Sequence, residues 1–284
     1  MAEQDPISKS IPGRRIPMRV LVLGLPRTNT ASLISALRRL DYNPYTMRSL
    51  VTNPDHIPAW QKAANSTQRA PGLPLPINDI LSDYDALADL PGCILAPQLI
   101  AAYPDAKVIL TTRRYETWER SMQESIWVLF TWRLFELCRV LGVSQMAPLI
   151  RLLHTLFGVH NGNQYGGNAT RRAYEAHNEK VRELVSRDKL LEIDAEDESG
   201  WNELCVFLGR EKPEGVEYPR LKEDTAMRAG LEQTWYSMVR YLLSMVLFQG
   251  LVLVGVALAY AYADNLRDIR DQLILKPLRE YLDK

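Results

Sequence analysis

The nine residues Gly24-Leu25-Pro26-Arg27-Thr28-Asn29-Thr30-Ala31-Ser32 hold the densest chemistry in the chain. A short aliphatic run, Arg19–Gly24 (RVLVLG), leads into them, and helical apolar spacing in Ala31–Leu40 leads out. A loop of this kind, joining a buried strand to a helix N-terminus, aims backbone N–H groups outward. The helix dipole adds a preference for an anion, so phosphate or sulfate fits. Arg27, Thr30 and Ser32 supply a cation and two hydroxyl donors. The loop lacks GxxxxGK[ST], so it is not a Walker A loop, and it lacks GxGxxG, which argues against a dinucleotide fold. An ordinary strand–helix turn is the plain alternative.

The elements needed to position this loop are legible. Arg19–Gly24 reads as a buried parallel strand, Asp83–Asp89 as a second, Ala106–Thr112 (AKVILTT) as a third and Lys189–Ile193 (KLLEI) as a fourth. Helices are expected over Ala31–Leu40, around Asp55–Ala64, and over Cys93–Ala102, Tyr115–Glu124 and Trp201–Leu208, the last stopped by Gly209. Residues 43–80 are proline-rich and read as irregular. Strands alternating with helices imply a parallel sheet covered on both faces. Ser125–His160, rich in Trp, Leu and Phe, reads as helices over the core, with a lid facing an apolar substrate or membrane as the alternative.

VLVLGLPRTNTASLISAL resembles the opening of the P-loop sulfotransferase superfamily, in particular the branch common in fungi whose loop reads P-R-T-G-T-T/S. AAYPDAKVILTTRRYETWERSM and, further on, YEAHNE with KLLEIDAEDESGWNELCVFLG match the family in the same order. Together they span about Met18 to Arg228. The resemblance implies a three-layer α/β sandwich and 3′-phosphoadenosine 5′-phosphosulfate (PAPS) as cofactor. It implies that Arg27, Thr28, Asn29, Thr30 and Ser32 grip the 5′-phosphosulfate, and that Arg113 and Ser121 hold the 3′-phosphate. An Arg at a strand's C-terminal end and a Ser in the next helix can converge on one phosphate; the alternative is a surface ion pair of Arg113 with Glu116 or Glu119. Where many cytosolic members carry His-Leu-Pro, this chain has Asp89-Leu90-Pro91. Asp89 is thus the candidate base that accepts the acceptor's hydroxyl proton, or else it caps the helix beginning near Gly92. His177 is the second candidate base. Two positions depart from the family loop. Its glycine is Asn29, the best non-glycine residue for left-handed geometry, and its following Thr or Ser is Ala31, a loss of roughly 1 kcal/mol of hydrogen bonding.

Bulk properties narrow the class further. Lys+Arg and Asp+Glu both number 34, and no long basic run suggests nucleic acid. Cys93, Cys138 and Cys205 have no paired spacing, so neither a disulfide framework nor a metal site is expected. Residues 1–17 read as a flexible leader without a signal peptide. Tyr241–Ala263 holds no charged residue across 23 positions, enough for a transmembrane helix at about 1.5 Å per residue. The domains expected are therefore an α/β domain over 18–235, a single membrane span over 241–263 and a tail over 264–284. The globular part is expected in the cytosol and the span in the endoplasmic reticulum. Lys222, Arg228 and Arg240 precede the span; Arg267, Arg270, Lys276, Arg279 and Lys284 follow it. That bias favours a cytosolic tail, against the simplest insertion route, so orientation stays open. The function read from all this is sulfate transfer from PAPS to a small apolar acceptor in fungal secondary metabolism. The alternative is a degenerate fold used for binding or scaffolding, or recruited to isomerisation or cyclisation. A nucleotide kinase-like activity ranks third, since the Walker lysine is missing. Neither acceptor nor oligomeric state is legible.

Overall fold

The computed structural model describes residues 15–69, 76–131, 133, 147–196, 200–221 and 223–282. The chain divides into two compact units, one up to Ala229 and one from Gly230 on.

The first unit is built on a five-stranded, wholly parallel sheet. The strands are β1 Val20–Val22, β2 Pro44–Tyr45, β3 Ala86–Ala88, β4 Lys107–Thr112 and β5 Leu190–Asp194, in spatial order β2-β3-β1-β4-β5. Val22 lies opposite Ala88 on one side and Ile109 on the other, and Thr112 lies opposite Asp194. Alternate residues of the central strands feed different cores, as the two-residue period of a strand dictates. Leu21, Leu23, Leu87, Val108 and Leu110 join one core. Val20, Val22, Ala86, Ala88 and Ile109 join the other. Each face is covered by helices, and the near-continuous apolar strand sequences follow from that double burial.

On the smaller face lie α1 (Thr30–Arg39) and a C-terminal helix, Trp201–Leu208, closed by Gly209 at φ 68°. The larger face carries α2 (Met47–Thr52), α3 (Ile57–Arg69), α4 (Ala96–Ala102), α5 (Tyr115–Gln123), α6 (Val128–Thr131), α7 (Ala147–Asn161) and α8 (Gly167–Leu184). The Trp201–Leu208 helix is α9. Trp60, Trp118, Trp127 and Phe157 are fully or almost fully buried on this larger face. Of the apolar stretch Ser125–His160, residues 132 and 134–146 lie outside the described residues. Its α7 packs into the core through Leu152 and Leu156.

The four expected strands are present; their starts come one to three residues later than expected, the first two end one or two residues early, the third ends at Thr112 as expected, and the fourth runs one residue further, to Asp194. β2 falls in the stretch read as irregular. It is two residues long and opens on a proline, which cannot donate to a ladder and is tolerated at a sheet edge. Nothing so short has a readable period.

The second unit continues the helix α10, Glu223–Ala261. Its Val239–Ala261 portion is long and apolar enough to cross a membrane. The helix ends at Ala261 rather than Ala263, because Tyr262 leaves helical geometry and caps α11 (Ala263–Arg270).

Candidate nucleotide site at the sheet edge

Parallel strands deliver their C-terminal ends to one edge; the loop after β1 meets the segment after β4 there, and the loop after β3 leaves from the same edge. Leu23 N–H still donates to Ile109 O at 2.9 Å, so β1 stays tied to β4 until the loop begins. The loop then turns sharply. Arg27 and Asn29 adopt left-handed geometry, at φ 72° and φ 64°. Asn29 is the residue before α1, and its side chain makes no cap bond. Asparagine therefore stands in the conformation the family's glycine would take freely.

Each segment is anchored by the other. Trp118 Nε1 donates to Pro26 O at 2.8 Å, and Thr28 Oγ1 donates to Leu25 O at 2.6 Å. Since that bond uses the only Thr28 hydroxyl proton, Thr111 Oγ1 is the donor in its 2.6 Å contact with Thr28 Oγ1. Arg27 is buried, and its Nε donates to Ser121 Oγ at 2.9 Å. Arg113 Nη1 donates to Arg27 O at 3.2 Å. Three residues named from separate segments thus meet. Glu116, one partner weighed for Arg113, pairs with Arg171 at 2.6 Å; Glu119, the other, accepts from Tyr115 Oη at 2.9 Å and Gly167 N at 2.7 Å.

Two polar atoms here are buried without a hydrogen-bond partner among the described residues: Thr30 Oγ1 and Arg113 Nε. Leaving such a group unsatisfied costs about 1–3 kcal/mol. Arg113 also lines a cleft of about 630 Å³ with Thr112, Arg172, Tyr174 and Asn178. Two guanidinium groups, an unpartnered hydroxyl and an unpartnered guanidinium N–H are the donor set that a phosphorylated ligand requires. The residues present therefore fit the anionic groups of PAPS. Ser32 is placed differently from the others. Its Oγ accepts from Leu221 N at 3.0 Å, tying α1 to the segment that leads into α10.

Tyr174 holds the site together and is not signalled by its residue type. Its hydroxyl accepts from Arg113 N at 2.9 Å and donates to Arg113 O at 2.6 Å, clamping that residue's backbone. Its ring packs on Trp118 at 4.5 Å. The only sequence signal is its place at the head of YEAHNE.

Asp89 follows β3, half-buried, at φ 66°. The short 3-10 turn Gly92–Leu95 takes Pro91 as its N-cap with no side-chain bond. What Asp89 gives that turn is its backbone carbonyl, which accepts from Cys93 N at 3.1 Å. Burial first, and then the Asp89 carboxylate, push the Cys93 thiol well above its usual range.

His177, on α8, donates from Nε2 to Leu23 O at 2.8 Å, directly before the loop. Burial lowers its pKa, partly offset by that bond. His160 lies beside it, ring centroids 5.8 Å apart, and burial together with His177 pushes its pKa down to about 3. The pair borders a cavity of about 220 Å³ lined by Ile94, Pro97 and Val159, with Lys180 as its other ionisable group. Both folded pKa values lie below the unfolded value of about 6.5, so their contribution to stability is complete above that pH and is lost progressively as pH falls from there through the folded values. For His160 alone the expected loss is about 2 kcal/mol between pH 7 and pH 5. Urea midpoints of the detergent-solubilised chain at the two pH values measure it, and His160→Gln is expected to flatten the dependence.

A family described as the sulfotransferase domain matches residues 19–227. The chain belongs to this family. It is also similar to Ava biosynthesis cluster protein M of Aspergillus versicolor, with 35% identity over 213 residues, covering 72% of this chain and 80% of that protein. Among the described residues no group of three or more His, Cys, Asp or Glu side chains is placed to hold a metal.

Proposed function

We propose that this sulfotransferase-family chain is membrane-anchored and uses PAPS to sulfate a hydroxyl of a small apolar acceptor, within fungal secondary metabolism. The observation that carries the reading is the pair of unpartnered buried donors, Thr30 Oγ1 and Arg113 Nε, beside the buried Arg27 guanidinium. The biosynthetic relative supports the metabolic setting. PAPS supplies the activated sulfuryl group. On the protein side, Arg27, Thr28, Asn29 and Thr30 hold the phosphosulfate end with the loop amides, while Arg113 and Ser121 hold the 3′-phosphate. Arg27 and the loop amides face charge on the departing phosphate, where preorganised donors act most strongly. Asp89, at the end of the strand next to β1, takes the acceptor's hydroxyl proton; His177 ranks behind it because its Nε2 proton is engaged by Leu23.

Thermal shift of the full chain in detergent, with PAPS and with its desulfated product, tests this. Ligand at a hundred times its Kd is expected to stabilise the fold by about 2.7 kcal/mol. Arg113→Ala is expected to remove most of that gain. A second reading is favoured by Ala31 and by Ser32, whose hydroxyl is engaged by Leu221: a family fold that binds or scaffolds without transferring sulfate. It takes over if neither the parent nor Asn29→Gly with Ala31→Thr shifts with either nucleotide.

A further inference from the structure

Beyond Tyr262 the chain changes character. The span is apolar on all sides, but the tail is apolar on one. Helix α11 (Ala263–Arg270) runs into a π-helical turn, Asp271–Leu275, and then into α12, Lys276–Leu282. The wider turn has a cause in the sequence. Pro277 has no N–H to return to Leu273 O, and the bond just before it opens to an i→i+5 pairing, Lys276 N–H to Asp271 O.

It also has a consequence. Ile269 and Leu273 are four apart, and Leu278 is followed at helical spacing by Tyr281 and Leu282. Between Leu273 and Leu278 the interval is five, one residue too long for an α-helical turn, and that interval overlaps the π turn, Asp271–Leu275. The extra residue is absorbed there, so Ile269, Leu273, Leu278 and Tyr281 share one side of the helix. Arg267, Asp271 and Arg279 fall on the other, where Leu275 is the one apolar side chain at the same four-residue spacing. The apolar four are exposed by 52, 72, 56 and 81%.

We propose that Ala263–Leu282 is an interfacial helix, its Ile269–Tyr281 side seated at the headgroup–acyl boundary of the membrane that Val239–Ala261 enters. This rests on the membrane reading of the span. The occupant is a lipid surface because the tail starts one residue after the span ends, where the chain leaves the hydrocarbon. A one-sided apolar stripe opposite charged residues is the pattern of helices lying in that plane. Residues 264–284 hold five cations (Arg267, Arg270, Lys276, Arg279, Lys284) and five anions (Asp264, Asp268, Asp271, Glu280, Asp283), so seating does not need anionic lipid.

Nitroxide labels on the full chain test this. Cys138 is replaced by Ser, Cys93 and Cys205 being buried. Single cysteines go at Leu273 or Tyr281, and at Arg267 or Arg279. The chain is reconstituted in phosphatidylcholine vesicles, with and without phosphatidylserine. Labels at 273 and 281 are expected to show an oxygen-to-nickel-chelate collision ratio about fivefold above those at 267 and 279, in both lipids. Equal nickel access at all four, with the chain still resistant to carbonate, overturns the tail inference and leaves the span standing. A chain recovered in the carbonate wash overturns both. Spin–spin broadening at 273 that vanishes on dilution with unlabelled chain shows a second copy on this face and also overturns the inference. So does a strong requirement for phosphatidylserine.

Discussion

Gly24→Ala is expected to lower the melting temperature of the globular unit by about 10 °C, or to prevent its folding. A Cβ at this position would lie 1.9 Å from Thr111 Oγ1, 2.4 Å from Thr111 O and 2.7 Å from Thr111 N. Two of these are backbone atoms of the inner strand β4, and they are fixed by its ladder with β5. A flexible side-chain tip could move aside; a strand between two neighbours cannot. Overpacking of this kind costs about 3 kcal/mol or more. The damage falls where β1 hands over to the loop, beside the Thr111 to Thr28 bond that holds the loop down. Thr111→Ala is therefore expected to give little rescue, because it removes the nearest atom and leaves the two backbone ones. Melting curves of both variants decide the matter. A Gly24→Ala protein that melts with the parent would show that β1 and β4 are not packed this closely.

The same residues explain how much was legible beforehand. Val20–Val22 and Val108–Leu110 are recognisable because burial on both faces demands unbroken aliphatic runs. The meeting of Arg27 with Ser121 and Arg113 follows from a general rule, that parallel strands end at one edge. Contacts made by backbone groups follow no such rule. Tyr174 clamping the Arg113 backbone, His177 holding Leu23 O and Leu221 N–H reaching Ser32 each join segments through a main-chain atom, which has no residue identity to read. Left-handed geometry at Asn29 was legible from residue type, since asparagine tolerates it; the same geometry at Arg27 was not, since arginine carries no such preference. The π turn was hidden for another reason. Pro277 signals an interrupted helix, but whether a helix stops, kinks or widens depends on which carbonyl the neighbouring N–H finds.

Placing arginines at Leu247 and Val254 together is expected to release the full chain from membranes, whereas the parent stays with them through a carbonate wash. Val239–Ala261 is the reason. At about 1.5 Å per residue its length slightly exceeds a hydrocarbon core of about 30 Å. Its composition excludes the usual fate of an amphipathic helix. Val246, Leu247 and Phe248 follow one another around the helix and are 69, 67 and 68% exposed, with Leu251 and Leu253 at 71 and 69%. A helix apolar on every side has no face to give to water, so it needs an apolar medium around its whole circumference. Neither does it need a partner for its backbone, since each interior N–H bonds within the helix. Each arginine near the centre costs about 2.5–3.5 kcal/mol of insertion, and two of them sit roughly two turns apart, too deep for both side chains to reach the same headgroup layer. A chain stopped after Trp235 is expected to behave like the double arginine variant and remain in the supernatant. If instead the parent itself washes off in carbonate, the segment is an interface helix covered by protein, and the anchor, together with the interfacial tail that depends on it, falls.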